Sequence, residues 1–470
     1  MRKKRATLIA AGILLVLLVG GYIGAKAYRR AKFDRLTASV ESIDLAKLKS
    51  DDLVLIEVPT SGLTLRKTGG VWETVPGTSV RLDQSEITSV TWSLSNMRAE
   101  KIIDPEPADL GAYGLDKPRS RVIVTTSDGA RVEYIAGNMT PSRSGYYAMM
   151  IGDPKVYLVP SYPGERLYLK LADVRDKNLP TFEPGEVRHV ILTAGKTRIE
   201  IEPKEERDLW ISSFTTHVLT SPYKTRRGVA PDRFNSLLTF FKDLRVRDFI
   251  DDSPTDLARY GLDKPARVFI QTGTSSLHLL VGKAPEGSAN RLYAKLDGEP
   301  GVFTIDDVTP ALQAQPFDLT DKFALIVGID RIESLEVKIG ARTFSGRVER
   351  RKETVSSRDE KGKEVTEEKV RETYVFNGKK AAESSFKNFY QACIGLVTDA
   401  ELPGAPPKAT PEIRIRYRLT EPAGTETELD LLPFNRDFYA ASREGAAEFL
   451  VSRVQAAKIE DTAEKMEFID

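Results

Sequence analysis

The sequence predicts an α+β protein, an N-terminal transmembrane helix followed by tandem repeats of mostly antiparallel β-sheet with packed helices. Three observations carry that reading. The uncharged run from Ala6 to Ala25 follows four basic residues at the amino end. The segment DLGAYGLDKPRSRVIV, from Asp109, returns as DLARYGLDKPARVFI from Asp256, and a repeat found before any motif decides the architecture. Within each copy, short alternating strands and an amphipathic helix come in separate blocks, the pattern of α+β rather than α/β domains.

The composition agrees. At roughly 150 residues per domain, 470 residues make about three domains. Hydrophobic residues at 41% and charged residues at 29% are ordinary for a chain with buried cores. Lys plus Arg number 69 against 68 Asp plus Glu, so no basic field exists to recruit nucleic acid and none is expected as a partner. A single cysteine, Cys393, excludes an intrachain disulfide framework and multi-cysteine metal sites. It shares an apolar stripe with Phe386, Phe389, Ile394 and Val397, which reads as a small buried hydrophobe rather than a reactive thiol.

From the amino end, residues 6–25 at about 1.5 Å each span the roughly 30 Å core of a bilayer. Arg2, Lys3, Lys4 and Arg5 precede them as a signal-anchor tail. Lys26, Arg29, Arg30, Lys32 and Arg35 follow, so the charge count alone leaves orientation open. The short basic tail favours the amino terminus inside, a single pass, and a carboxyl-terminal region outside the cytoplasm. The alternative is a cleaved signal peptide ending at Ala25-Lys26-Ala27, against which stands an apolar run longer than the usual 7–15 or so residues.

The YGLDKP hexapeptides start at Tyr113 and Tyr260, and the Tyr-Ala pairs at Tyr147 and Tyr293, 146 residues apart; the next step lands on Tyr439-Ala440. The third copy has lost YGLDKP but keeps Pro411 where the others have Pro118 and Pro265. The order is then 1–30 tail and anchor, 31–50 linker, 51–183 repeat 1, 184–327 repeat 2, and 328–470 a diverged repeat 3 with a charged insert at 349–372. Each unit opens with a strand pair, LVLIEV then LTLRKTGGVWETV in the first, turning at Gly69-Gly70. A helix follows, with stripes Ile87, Val90, Leu94 and Met97, or Phe234, Leu237, Leu238 and Phe241, and a capping-box start at Asp83 and Glu86. Three or four short strands and a closing helical segment complete the unit. The insert holds eight charges of each sign and reads as a solvated hairpin or loop, with a docking arm as the sharper alternative.

Helix-end physics accounts for most of the repeated motif. Ser253 is expected as N-cap with Pro254 at N1, Gly261 in the left-handed C′ position, and Leu257 against Leu262 as in a Schellman motif. Pro107, Leu110, Gly114 and Leu115 repeat the arrangement, and Pro118 or Pro265 then launches a strand. Tyr113 and Tyr260 are expected to pack their rings and give their hydroxyls a polar partner. The competing reading lets Asp116 and Lys117, or Asp263 and Lys264, meet a ligand. Two polar loops at matching points, with Asn138 and Arg143 in one and Lys283 and Asn290 in the other, are the candidate ligand loops.

Catalytic signatures are sparse. No Walker motif, HExxH, GxSxG or CxxC occurs in the sequence. His217 beside Thr215, Thr216 and Ser221 is a nucleophile–base pattern without an orienting acid. His278 reads as a surface or core-edge residue, and Asp251-Asp252 and Asp306-Asp307 as helix N-caps. No cofactor is expected and the protein reads as a non-enzyme.

The anchor, the hairpin Val71-Trp72-Glu73, the YGLDKP turn and the Tyr146-Tyr147-Ala148 strand together resemble the bacterial domain-of-unknown-function family 4340, over residues 50–180 and 186–325 but poorly past 330. The family has no established catalytic residues to carry over. The resemblance implies a protein of the bacterial inner membrane, often encoded beside ABC-transporter components of the gliding-motility type. The expectation is therefore an accessory or scaffold protein at the cell envelope, with an ABC-type permease or auxiliary subunit as partner. An envelope polysaccharide- or peptide-binding module and an uncharacterised hydrolase are the alternatives.

Overall fold

The computed structural model describes residues 42–77, 80–358 and 364–470. The expected anchor at 6–25, its basic flanks and most of the linker lie outside them. Among the described residues no helix is long and apolar enough to cross a membrane. The chain forms two compact units, Met1–Lys177 and Asn178–Asp470.

The first unit carries β1 (Ile43–Asp44), β2 (Leu53–Val58), β3 (Leu63–Thr68), β4 (Val71–Thr74), β5 (Arg98–Ala99), β6 (Lys101–Asp104), β7 (Ser120–Thr126), β8 (Arg131–Met139), β9 (Gly145–Met150) and β10 (Asp153–Pro160). Eight of them form one antiparallel sheet in the order β4-β3-β2-β7-β8-β9-β10-β6, while β1 pairs with β5. The residues around Ile43–Leu45, expected as linker, thus belong to the folded unit. Leu45 is buried and its N–H donates to the Met97 carbonyl at 2.9 Å.

Alternation explains the strands. Leu53, Ile56 and Val58 of β2, with Leu63 and Leu65 of β3, are buried. Gly69 and Gly70, with φ of 58° and 88°, make the turn to β4, which buries Trp72. The helix Gln84–Ser95 connects β4, at one edge, to the strands at the opposite edge, so it must cross the sheet. Its stripe of Ile87, Val90 and Leu94 is fully buried on the crossing, each such side chain contributing about 1.5–3 kcal/mol. The Asp83 carboxylate accepts the Glu86 N–H at 3.0 Å, half of the expected capping box. The Glu86 carboxylate completes an ion pair with Arg166 instead.

The second unit repeats this plan twice. Its first sheet comprises β11 (His189–Ala194), β12 (Thr197–Pro203), β13 (His217–Ser221), β14 (Arg227–Gly228), β15 (Phe249–Asp251), β16 (Ala266–Gln271), β17 (Ser276–Val281), β18 (Arg291–Leu296) and β19 (Val302–Asp306). Its second comprises β20 (Ile332–Ile339), β21 (Arg342–Arg358), β22 (Glu364–Phe376), β23 (Lys379–Lys380), β24 (Ala400–Glu401), β25 (Ile413–Leu419), β26 (Glu426–Pro433), β27 (Phe438–Arg443) and β28 (Ala446–Ser452). The orders are β14-β13-β12-β11-β16-β17-β18-β19-β15 and β23-β22-β21-β20-β25-β26-β27-β28-β24. In all three sheets the first long strand stands between a hairpin and a four-stranded meander. Tyr147-Ala148, Tyr293-Ala294 and Tyr439-Ala440 all fall on the third meander strand. Helices Pro231–Lys242 and Glu383–Ile394 occupy the crossing position and bury Phe234, Leu237, Leu238 and Phe241, or Phe386, Phe389, Tyr390 and Cys393.

Several expectations fail for local reasons. Six strands follow the first crossing helix and five follow each of the others, not three or four, because β5, β6, β15 and β24 are too short to read as alternation. Val397 leaves the apolar stripe and is 38% exposed, since the helix ends at Ile394 before Gly395. The charged insert, by contrast, takes the hairpin form of its expected hairpin-or-loop reading: β20 pairs with β21 only as far as Arg347, and β21 and β22 continue together to Arg358 and Glu364. Beyond Arg347 it is a two-stranded ribbon of eleven residues on the β21 side (358 less 347), roughly 35 Å long. Arg350 pins its base, bonding Glu372 at 2.9 Å and the carbonyls of Ile332 and Ile329 at 2.7 and 2.6 Å.

Candidate functional site

The repeated motif folds the same way in both copies. In the second, residues Ala258–Tyr260 form one 3-10 turn and Gly261 ends it with φ 70° and ψ 21°. The Leu262 N–H donates to the Leu257 carbonyl at 2.9 Å and the Gly261 N–H to the Ala258 carbonyl at 3.0 Å, the two bonds of a Schellman motif. In the first, Leu115 to Leu110 at 2.9 Å and Gly114 to Gly111 at 3.0 Å repeat them, with Gly114 at φ 68°.

The expected N-cap is wrong. The turn starts only at Ala258, whose N–H goes to the Asp256 carboxylate at 2.9 Å, as the Gly111 N–H goes to Asp109 at 2.8 Å. Ser253 and Pro254, like Pro107, stay outside because three residues leave no second turn to cap. Asp251 is likewise no N-cap: it takes the Ser253 N–H at 3.0 Å and the Tyr260 hydroxyl at 2.9 Å. Asp306 pairs with Arg247, and Asp307 stands one residue ahead of the N-cap Val308, where it accepts the Thr309 N–H at 2.8 Å.

Each tyrosine is held at ring and hydroxyl. Tyr113 donates to Asp104 at 3.0 Å and meets Tyr147 edge-on at 5.1 Å; Tyr260 donates to Asp251 and meets Tyr293 at 5.1 Å. The hydrogen bond to the carboxylate raises the pKa of either phenol. Tyr260 and Leu262 join Leu280 and Val302 in a small cluster separate from the main core of that sheet. The motif is thus a lid on the outer face of the meander.

The candidate ligand residues serve that lid. A Cβ on Gly114 would lie 2.6 Å from the Asn138 amide, and one on Gly261 would lie 2.9 Å from the Lys283 backbone nitrogen, which donates to the Tyr260 carbonyl at 3.0 Å. Arg143 stands exposed at its loop tip with φ 57°. Lys283 and Asn290 are exposed, as are Asp116, Lys117, Asp263 and Lys264, while Pro118 and Pro265 are half-buried.

The histidines and the cysteine have structural surroundings. His217 Nε2 donates to the Val187 carbonyl at 3.0 Å, which leaves Nδ1 to accept from the Thr216 hydroxyl, also at 3.0 Å. Burial lowers its pKa, opposed by the Val187 bond. His278 is exposed and meets Phe269 edge-on at 4.5 Å. His189, Glu200 and Glu202 bring three ligand atoms within 4.8 Å of one another, yet both carboxylates already have arginine partners, Arg198 at 2.9 Å and Arg226 at 3.2 Å. Burial pushes the Cys393 thiol well above its usual range.

The densest buried charge joins the two sheets of the second unit, and the sequence analysis missed it. Arg227, 5% exposed, pairs with Glu448 at 3.3 Å and lies over the Phe449 ring at 4.5 Å. Glu448 also takes the Thr225 hydroxyl at 2.9 Å and the Lys224 N–H at 2.5 Å. Arg443, 3% exposed, donates to the Arg226 carbonyl. Burial first, then the like charge of Arg443, lowers Arg227 to about 9, so it remains a cation at neutral pH. Asp321, raised by burial, takes the Thr215 hydroxyl at 3.3 Å. Leu209 and Trp210 of the long β12–β13 loop pack on the core of the third sheet. These partners lie some two hundred residues apart, so no local pattern could announce them.

The profile of a domain of unknown function, DUF4340, matches residues 72–265 and 218–388, together well over half of the chain. The matches begin 146 residues apart (218 less 72), the interval between Tyr147 and Tyr293, and both begin in equivalent strands, β4 and β13. Neither the curated proteins nor the solved structures provide a match.

Proposed function

The chain belongs to the DUF4340 family, and from that premise we propose that it is a membrane-anchored, extracytoplasmic scaffold or accessory protein of an ABC-type transport system in the cell envelope. It holds protein neighbours and performs no covalent chemistry. The observation that carries this reading is the β21–β22 ribbon. A free two-stranded ribbon is at best marginally stable in water, and its unpaired edges are templates for another chain. Its exposed side chains carry both signs closely spaced, as in Lys352–Glu368 and Arg371–Glu353, both at 3.6 Å. Such a surface favours short-range, salt-sensitive contacts over long-range steering.

A second reading, an envelope polysaccharide- or peptide-binding module, draws on the exposed Arg143, Lys283 and Asn290 of the two matching loops. One variant separates the readings. Replacing residues 351–371 by Asn-Gly keeps the Arg350–Glu372 pair next to a two-residue turn. Crosslinking and pull-down from native membranes should then lose transporter components while melting temperature and anchoring hold. Unchanged recovery would reduce the ribbon to a solvated hairpin, and glycan binding by the variant and the parent alike would favour the second reading. Protease added to intact spheroplasts should digest the carboxyl-terminal region; protection until lysis would reverse the orientation.

A further inference from the structure

Beside the Arg227–Glu448 pair, within the second unit, lies a cavity of about 320 Å³ whose wall includes Trp210, Ile211, Lys224, Arg226, Arg443 and Glu444. Arg443 is the unusual member. It is 3% exposed and its Nε has no hydrogen-bond partner. Its one described bond runs to a backbone carbonyl, that of Arg226. Among the described residues no carboxylate stands within ion-pair distance of it, because its acidic neighbours are engaged elsewhere. Glu448 is held by Arg227, Asp208 by Arg226 at 2.7 Å, and Asp321 by the Thr215 hydroxyl and the Phe323 N–H at 3.2 Å. Glu444 projects from the exposed β27–β28 turn.

A guanidinium held out of water without a paired carboxylate is costly, and its planar fork is shaped for an oxyanion. The cavity supplies room for one, and Lys224 stands exposed at its wall as a second cation. The volume is at the low end for small-molecule sites and well above that of an inorganic oxyanion. Trp210 and Ile211 offer the remaining space an apolar surface.

We propose that this cavity binds a small organic anion whose carboxylate or phosphate group pairs with Arg443 and Lys224 and whose body lies on Trp210. Such a ligand touches both sheets of the unit, Trp210 and Lys224 from one and Arg443 from the other, so its occupancy stiffens their junction. The site is independent of the scaffold reading and stands or falls by its own test.

The test is tryptophan fluorescence of the full chain in detergent, titrated with phenyl phosphate and with benzoate, with phenol as the neutral control. At least one anion should saturate the signal below about 10 mM, and phenol should bind at least roughly tenfold more weakly. Trp210→Phe should remove the optical change while calorimetry still detects binding. Lys224→Glu, at an exposed site, should weaken the anion several-fold with an unchanged melt; Arg443→Lys should abolish binding, and if that chain does not fold the rim variant decides alone. Which anion wins identifies the group as carboxylate or phosphate. The proposal is overturned if neither anion saturates, if phenol binds as tightly, or if Lys224→Glu binds like the parent.

Discussion

Gly261→Ala isolates what the repeated turn requires of its glycine. Gly261 has φ 70° and ψ 21°, where an L-residue with a Cβ is disfavoured by roughly 1–2 kcal/mol. A Cβ there would also stand 2.9 Å from the Lys283 backbone nitrogen and 3.2 Å from its Cβ. That nitrogen is fixed by its bond to the Tyr260 carbonyl, so the turn must lift, at an overpacking cost of about 1–3 kcal/mol. The expected loss is therefore about 2–5 kcal/mol. Gly195→Ala, in the same unit, is the control: φ is 59° and no atom lies within 4 Å, so only the backbone cost applies, about 1–2 kcal/mol. Gly114→Ala should fall between, because its Cβ meets the Asn138 side chain, which can rotate. Urea denaturation gives the three free energies, and melting should separate Gly261→Ala from Gly195→Ala at roughly 2–4 °C per kcal/mol. Equal losses at Gly261 and Gly195 would refute the close-approach argument. No loss at either would refute the left-handed capping account and return Asp263 and Lys264 to the functional reading.

Tyr260→Phe should cost about 0.5–1.5 kcal/mol by removing the hydroxyl bond to Asp251 while keeping the ring on Tyr293, and Tyr113→Phe should match it, measured by denaturation. Glu448→Ala strands Arg227 in a buried site and should destabilise by about 3–5 kcal/mol, whereas the Arg227→Met, Glu448→Met pair should recover much of that; a double-mutant cycle without coupling would remove Glu448 as the counterion. His217 has a folded pKa below its unfolded value of about 6.5, so the unfolded chain binds more protons as pH falls. Its contribution to stability is present above that pH and is lost below it; His217→Asn should flatten the melting temperature between about pH 7 and pH 5.

What was legible from sequence was local. The stripes Phe234, Leu237, Leu238, Phe241 and Ile87, Val90, Leu94 lie at helical spacing, and the Leu-x-x-Tyr-Gly-Leu string contains every atom of its own Schellman bonds. The ribbon was legible from its dense charge as a solvated hairpin or loop, and no alternation chose between the two. Ser253 misled because Ser-Pro is a sound helix start wherever a helix is long enough to need one. The lid's acceptors Asp104 and Asp251 sit nine residues before their tyrosines, a spacing no regular element predicts. Arg227 with Glu448, and Arg443 with its cavity, depend on how two sheets meet, which a one-dimensional pattern does not encode.

The three modules differ most at one place, the connection between the second and third strands. In the first sheet it is the two-residue turn Gly69-Gly70; in the second it is residues 204–216, which carry Leu209 and Trp210 onto the core of the third sheet; in the third it is the ribbon. Lengthening a surface connection costs little chain entropy, each doubling adding only about 0.6 kcal/mol, so this is where an excursion can be added without disturbing the meander or the crossing helix. It also lies at the sheet edge, where an added segment can cover exposed backbone or offer it to a neighbour. In the second sheet the excursion makes a contact between modules through Leu209 and Trp210, and Lys204 braces it from within by binding the carbonyls of Ile211 and Ser212 at 3.1 and 2.7 Å. The same position in the third sheet extends the same two strands, but its described partners beyond Arg350 are within the ribbon itself. On the scaffold reading proposed above, the element that clamps two modules in the second sheet is, in the third, the surface a partner would meet. Partner choice should accordingly follow the ribbon when it is transplanted between Arg350 and Glu372 of related chains, while the meander and lid determine only whether the module folds.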